Sequence, residues 1–188
     1  SDESSPPPGL LEVADRIGHK NYKNCVVFNS LSKRSNLPGV RSGYVAGDAE
    51  LLERFLLYRT YHGAAMSVHH QLVSAAAWND DTHVSTNRDA YRRKFTSVTQ
   101  ILKSVWTTSA PEATFYLWPD TPIDDQLFAQ RLLRHANIKV LPGSFLSRET
   151  SEGNPGKNKV RIALVATENE CIDAAQRIVK VWPKLVEA

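Results

Sequence analysis

Residues 24–48 read NCVVFNSLSKRSNLPGVRSGYVAGD, and this segment sets the interpretation of the rest of the chain. Two short apolar runs within it, Cys25–Phe28 and Tyr44–Ala46, have the length and composition of buried strands. The turn between them is expected to bring the hydroxyls of Ser30 and Ser32 close to two cations, Lys33 and Arg41. Such a strand end suits an anion and a reactive amine, because a lysine desolvated near a second cation can attack a carbonyl to form a Schiff base.

A simpler interpretation of this turn is a solvated basic loop, since patterns as short as Ser-x-Ser-Lys recur freely. The longer pattern resembles the cofactor-lysine segment of class I aminotransferases, which use pyridoxal phosphate. Their pattern is Ser-x-Ser-Lys, then Gly, then Arg-x-Gly, and the matching residues here are Ser30, Ser32, Lys33, Gly39, Arg41 and Gly43. The resemblance implies that Lys33 binds the cofactor covalently, that Ser30 and Arg41 bind its phosphate, that Ser32 is a further cofactor contact, and that the two glycines are structural. Residues 30–39 are similar, more narrowly, to the N-succinyldiaminopimelate aminotransferase branch.

The composition is that of an ordinary globular protein, with 41% hydrophobic and 23% charged residues among 188. The net charge of +3 slightly favours anionic ligands and does not indicate nucleic-acid binding. Two unclustered cysteines, Cys25 and Cys171, form neither a disulfide framework nor a metal site, and they fit a reducing cytoplasm. No apolar run approaches the roughly 18 residues of a membrane helix, and we expect no signal peptide and no metal.

The first residues, Ser1-Asp2-Glu3-Ser4-Ser5 followed by three prolines, do not look like a natural start. In the resembled branch Ser-Asp-Glu ends an internal strand, and the match resumes at Pro7. The resemblance therefore implies the C-terminal half of an enzyme with a few residues missing after Glu3, including a cofactor-binding tyrosine. Asp2 matches the aspartate that pairs with the pyridine nitrogen. Taken alone, Asp2 is an ordinary disordered terminal residue.

Residues 1–87 are predicted to be the end of a large α/β domain whose parallel sheet has been cut in half, which exposes an apolar edge and face. Helices are expected over Leu10–Ile17, from an Asp48 cap onward and over Ala64–Trp78. The end of the second helix, Tyr58–Gly63, could bind an anionic substrate. It could equally be a helix end that places Arg59 and His62 near its negative dipole terminus.

Residues 88–188 are predicted to be a small α+β domain, reached through a long connecting helix that starts near Asp81. Alternating steps of four and three residues predict a buried stripe along this helix, formed by Tyr91, Phe95, Val98, Leu102 and Val105. Strands are expected over residues 115–118, 138–141 and 160–164. A helix with Thr121 as its cap is expected between the first two strands. Thr167 and Glu170 form a capping box for a final helix whose buried positions are Ile172, Ala175, Val179 and Trp182.

Arg161 lies inside the apolar run Val160–Leu164, where a cation is costly unless it is paired. Two interpretations are open: an edge-strand arginine that faces water, or an arginine whose planar fork grips a carboxylate. In class I aminotransferases an arginine in a similar strand holds the substrate α-carboxylate, so the resemblance implies that role for Arg161.

The resemblance therefore implies a fold type I enzyme that depends on pyridoxal 5'-phosphate. The implied reaction moves an amino group between N-succinyl-LL-2,6-diaminopimelate and 2-oxoglutarate, in lysine and diaminopimelate biosynthesis. Its partners would be the N-terminal half of the same enzyme, a second copy in a homodimer, and amino-acid and oxo-acid substrates, in the cytoplasm. The alternatives are another aminotransferase or a lyase of the same fold, and a non-catalytic effector-sensing domain.

Overall fold

The computed structural model describes residues 6–187. Two compact units make up this part of the chain, the first ending at Arg88 and the second beginning at Asp89. Within the described residues, no helix is both long enough and apolar enough to cross a membrane.

The first unit places helices around a single pair of strands. Its elements are α1 (Leu10–Arg16), β1 (Val26–Ser30), α2 (Leu31–Arg34), β2 (Gly43–Gly47), α3 (Ala49–His62), α4 (Val68–Trp78) and the beginning of α5 (Thr82–Leu102). The predicted helices and strands are present, although α4 starts later than the predicted Ala64. The expectation that the two strands are buried is wrong, because neither has a buried residue and Phe28 is 72% exposed. Asp48 caps α3 as expected, since its carboxylate accepts from the backbone N–H groups of Glu50 and Leu51.

Strands β1 and β2 pair in antiparallel fashion, with Val26 opposite Gly47 and Ser30 opposite Gly43. This pairing departs from the parallel sheet expected for this part of the chain. The connection contains one turn of helix and the 3-10 turn Pro38–Val40, so the chain turns back and does not cross the sheet. The backbones approach so closely at the last rung that a side chain at Gly43 would collide with the carbonyl oxygen of Asn29.

The apolar side chains of the first unit are largely exposed. Among the described residues up to Arg88, the buried hydrophobic side chains are Ala14, Leu31 and Val84. The apolar face of α3 is present but uncovered, because α3 has no buried residue and Leu56 is 69% exposed. Helix α3 is therefore shaped for packing that the described residues do not supply.

The second unit contains the rest of α5 and a small antiparallel sheet with two helices. Its further elements are β3 (Tyr116–Leu117), α6 (Asp125–Ala136), β4 (Leu141–Pro142), β5 (Val160–Ala163) and α7 (Glu168–Val186). The strand order is β3-β5-β4, so β5 is the central strand and pairs with both neighbours. The capping box at the start of α7 is confirmed: Glu170 N–H donates to Thr167, and Glu170 accepts from the Thr167 backbone.

Two predicted boundaries in the second unit were wrong. Thr121 is not the cap of α6; its hydroxyl donates to the Ile123 carbonyl, and Asp124 caps the helix. Strand β4 begins at Leu141, not at Ile138, because the backbone N–H of Ile138 donates to Leu132 and closes the end of α6. Asn137 adopts the left-handed conformation that this helix ending requires.

The second unit encloses a continuous hydrophobic core built from every one of its helices and from its strands. The predicted stripe along α5 is confirmed, since Phe95, Val98 and Leu102 are buried there. Trp106, Phe128 and Trp182 form a cluster of aromatic rings with centroids 5.0 to 6.0 Å apart. Burial on this scale, at about 25 cal/mol per Å² of apolar surface, is the main force that stabilises the unit.

Candidate active site

Lys33 lies in α2, the single turn of helix that directly follows β1. The turn is anchored at its first residue, because the Leu31 side chain is fully buried and its backbone N–H donates to the Ser42 carbonyl at 3.1 Å. Ser30 caps the turn by accepting from the Ser32 backbone N–H at 3.1 Å. The position of Lys33 thus follows from a strand end, a buried leucine and a serine cap.

The two serines predicted to contact the cofactor, Ser30 and Ser32, lie next to each other. Ser30 Oγ is 3.0 Å from Ser32 Oγ and 3.1 Å from the Ser42 carbonyl oxygen. Ser30 also forms the last rung of the hairpin, opposite Gly43. The hairpin therefore brings the Ser30 side of the turn to the segment that contains Arg41.

Arg41 follows the Pro38–Val40 turn in a left-handed conformation, with φ 54° and ψ 39°. This conformation costs a non-glycine residue roughly 1 kcal/mol or more, and such residues are frequent at ligand sites. Its Nη1 donates to the Pro38 carbonyl at 3.0 Å, and the residue is exposed. The turn thus holds the arginine at the same end of the hairpin as Ser30.

Lys33 itself is exposed. The expectation that this strand end desolvates the lysine is therefore wrong for this chain, because Leu31, which lies two positions earlier, takes the buried side of the turn. The described residues position the amine without burying it. Asp2, the other predicted cofactor contact, lies outside the described residues.

Arg161 lies in β5, in the second unit. The edge-strand interpretation of this residue is wrong, because β5 is the central strand and Arg161 pairs with Leu141 of β4. Its guanidinium carbon is 5.7 Å from the centroid of the Tyr116 ring, within reach of a cation–π contact. Tyr116 is its diagonal neighbour on β3, since Tyr116 pairs with Ala163. The arginine is half-buried and supported on both sides.

Two further features of the first unit were not apparent from the sequence. The side chain of Arg34 turns inward beside Lys33 and contacts Trp78, with its Cζ 5.0 Å from the ring centroid. The three-residue spacing from Leu31 to Arg34 was the available signal, because it places both on one side of the turn. At the end of α3, the Tyr58 and His62 rings stack at 4.4 Å. Among residues 6–187 no cluster of three potential ligands could hold a metal ion.

Comparison with known proteins places this geometry in a family. The model of the family "Aminotransferase class I and II" matches residues 5–178. The chain therefore belongs to the class I and II aminotransferases, which have fold type I and use pyridoxal phosphate.

Three similar proteins show how far the likeness extends. An aminotransferase structure from Neisseria meningitidis is 51% identical with a TM-score of 0.91, over 97% of this chain and 46% of that one. The 4-dedimethylamino-4-oxo-anhydrotetracycline transaminase of Streptomyces rimosus is 34% identical over 92% of this chain and 46% of its own length. A probable N-succinyldiaminopimelate aminotransferase from Thermus thermophilus is 30% identical, with a TM-score of 0.73, over 86% of this chain and 43% of that one. The chain thus spans less than half the length of these relatives.

The residues around Lys33 fit the family's cofactor. Pyridoxal phosphate presents an aldehyde and a phosphate, and this hairpin end combines a primary amine with two adjacent hydroxyls and a guanidinium. The amine suits the aldehyde and the other groups suit the phosphate, since arginine binds phosphate through a planar pair of donors. The donor set of this hairpin end therefore fits such a cofactor.

Proposed function

We propose that the protein containing this chain transfers an amino group between N-succinyl-LL-2,6-diaminopimelate and 2-oxoglutarate. The observation that supports this proposal best is one hairpin end that combines Ser30, Ser32, Lys33 and Arg41 in a member of the aminotransferase family. We assign residues 1–87 to the end of the large domain and residues 88–188 to the small domain.

Lys33 is the catalytic residue of this proposal. Its amine holds the cofactor covalently and later moves a proton at the Cα atom of the substrate. Ser30 and Arg41 bind the phosphate, Ser32 also contacts the cofactor, and Asp2 keeps the ring nitrogen protonated. The bound cofactor supplies an electron sink for the carbanion that forms at Cα.

Arg161 binds the α-carboxylate shared by the amino-acid and oxo-acid substrates. A guanidinium grips a carboxylate through two parallel hydrogen bonds, which a lysine cannot reproduce. The Tyr116 ring and the central position of β5 support this role, because they restrict the side chain before the substrate arrives. The side chain that recognises the α-carboxylate then lies on a strand of the well-packed second unit.

The choice of substrate rests on likeness to the Thermus thermophilus protein, a probable N-succinyldiaminopimelate aminotransferase. The Streptomyces rimosus relative is named for a different substrate, 4-dedimethylamino-4-oxo-anhydrotetracycline. Another aminotransferase substrate is the competing proposal.

We also propose that the chain functions as the C-terminal half of a cytoplasmic, homodimeric enzyme. The relatives are more than twice as long as the matched region, and the first unit leaves much of α3 and α4 uncovered. The remaining half and a second copy supply the surfaces that these helices lack. The 188-residue chain alone is then inactive, and any activity measured for it would contradict this part of the proposal.

The test of the reaction uses the complete protein with pyridoxal phosphate. Borohydride reduction followed by peptide mapping should label Lys33, and Lys33→Ala should abolish the absorbance of bound cofactor. Glutamate formation from 2-oxoglutarate should be faster with N-succinyl-LL-2,6-diaminopimelate than with LL-2,6-diaminopimelate or aspartate. A label on another lysine would refute the site, and a preference for another donor would refute the substrate. Cofactor binding without turnover of any donor would favour an effector-sensing domain.

The test of Arg161 is the variant Arg161→Lys in the same protein. We expect a loss on the order of 2 kcal/mol, or about thirtyfold in apparent affinity, for both substrates alike. Arg148→Lys, an exposed arginine of the second unit, is the matched control and should change neither affinity. Unchanged affinities in Arg161→Lys would exclude a role in carboxylate binding.

A further inference from the structure

Arg34, the residue after Lys33, has most of its charged side chain inside the first unit. Its side chain is 17% exposed. Nη1 donates to the Ala77 carbonyl at 2.9 Å and to Ser35 Oγ at 3.1 Å, while Nη2 forms an ion pair with the Asp81 carboxylate. The Trp78 ring lies against the same guanidinium. One side chain therefore makes four directed contacts.

These contacts join the turn of Lys33 to the junction between α4 and α5. Ala77 is in the last turn of α4, where exposed carbonyls carry partial negative charge, and Asp81 directly precedes α5. A guanidinium suits this position because its planar fork reaches several acceptors in fixed directions. A lysine at this position could donate to only some of these acceptors.

Helix α2 depends on anchors of this kind. A helix of four residues cannot hold its own shape in water, because nucleation costs more than one turn of hydrogen bonds returns. The Ser30 cap and the buried Leu31 hold its beginning, and Arg34 holds its end. Lys33 lies between these anchors on the exposed side, so the direction of its side chain depends on both.

Trp78 extends the same arrangement to the second strand of the hairpin. The Tyr44 ring on β2 lies 5.1 Å from the Trp78 ring, and Arg34 lies against the same indole. The Trp78 side chain therefore contacts both the helix that contains Lys33, through Arg34, and the strand that follows Arg41, through Tyr44. A shift of Trp78 would move the amine and the phosphate contacts together.

We propose that Arg34 is a positioning residue: it fixes the orientation of α2, and thereby the Lys33 amine, through Ala77, Trp78 and Asp81. This inference rests on the proposed function of Lys33 as the cofactor lysine. It assigns to Arg34 no contact with substrate or cofactor.

The experiment compares Arg34→Met, Arg34→Lys and Asp81→Asn in the complete protein loaded with pyridoxal phosphate. Asp81 is suited to this test because its side chain is 88% exposed, so its replacement spares the core. The control is Arg54→Met, which removes another ion-paired arginine of the first unit whose side chain is 75% exposed. Near-UV circular dichroism and the thermal midpoint establish that each variant is folded.

A misplaced amine should slow the proton transfer and change the ionisation of the bound cofactor, while substrate binding is spared. In Arg34→Met we expect kcat to fall about tenfold or more with KM within about twofold, since small misplacements cost up to about a hundredfold. The pH midpoint of the cofactor absorbance should shift by about half a unit or more. Arg34→Lys should recover part of both effects, Asp81→Asn should show smaller ones, and Arg54→Met should show none.

The inference is overturned if folded Arg34→Met keeps both the kcat and the pH midpoint while Lys33 is still the labelled lysine. If Arg34→Met does not fold, Asp81→Asn decides the question by the same two measurements. A label on another lysine would instead overturn the proposed function. The two failures are therefore distinguishable.

Discussion

The two units of this chain differ in how completely they bury their apolar side chains. The second unit encloses a continuous core that its strands and helices share, with Phe128, Leu132 and Leu185 fully buried. The described part of the first unit buries few apolar side chains and leaves most of α3 and α4 exposed. The hairpin that we propose to bind the cofactor thus belongs to the less covered unit, and Arg161, which we propose to bind the carboxylate, belongs to the better packed one.

This difference separates two ways of holding a functional side chain. Lys33 and Arg41 are held by backbone hydrogen bonds, caps and the Arg34 contacts, which are each worth about 1 kcal/mol net. Arg161 is held by a strand in the middle of a sheet over a buried core. We therefore expect the lysine site to depend on further packing partners far more than the arginine site does.

The most direct test of the comparison separates the two units. Residues 82–188, which keep α5 whole, should unfold cooperatively on heating, because their core is complete. Residues 1–88 should show no cooperative transition, because too little apolar surface is buried to offset the chain entropy. Far-UV circular dichroism during thermal melting measures both, and a sharp transition in residues 1–88 would contradict the comparison.

A matched pair of phenylalanines gives the next largest effect. Phe128→Ala should lower the free energy of unfolding of the second unit by about 3–5 kcal/mol, since Phe128 is fully buried. Phe28→Ala, on a side chain that is 72% exposed, should change the stability of the 188-residue chain by less than about 0.5 kcal/mol. Urea denaturation measures both variants, and equal losses would show that the first unit has a core of its own.

Asp125 should make the second unit sensitive to acid. Burial acts to raise the pKa of its carboxyl, but hydrogen bonds from the Ser144 and Asn158 backbone N–H groups outweigh burial and hold that pKa below its ordinary 3.8. The unfolded state then binds the proton more readily, so the ionised Asp125 carboxylate stabilises the folded state. This stabilisation is present above about pH 4 and is lost as the pH falls through the pKa of the folded state.

The measurement is the urea midpoint of residues 82–188 between pH 6 and pH 2. Asp125→Asn should reduce the dependence on pH in the acid range, whereas Asp120→Asn, at an exposed carboxylate, should leave it largely unchanged. If the urea midpoint of Asp125→Asn fell with pH as steeply as that of the unchanged chain, the Asp125 carboxyl would not be the cause of the acid sensitivity.

The smallest expected difference concerns the helix caps. Thr167→Ala removes the capping box of α7 and should cost the second unit about 1 kcal/mol. Ser67→Ala removes the cap of α4 and should increase hydrogen exchange only within that helix, because little of the first unit unfolds together. Native-state hydrogen exchange distinguishes the two, and a chain-wide effect of Ser67→Ala would contradict the comparison.

Features set by neighbours in the chain could be predicted from the sequence. The Thr167–Glu170 capping box, the Asp48 cap and the buried stripe along α5 were all expected. The turn that contains Lys33 was also expected, and its spacing led to the family that the comparisons establish. Each of these signals depends on residues that lie close together in the chain, where local backbone geometry largely decides which groups meet.

Features that depend on distant partners required the folded chain. The central position of β5 excluded the edge-strand interpretation of Arg161, and strand order follows from pairings that no single segment encodes. The exposure of α3 and of Lys33 depends on which surfaces are present to cover them, a property that periodicity does not contain. The contact between Arg34 and Asp81 joins residues far apart in the chain, and only folding brings such charges within hydrogen-bonding distance.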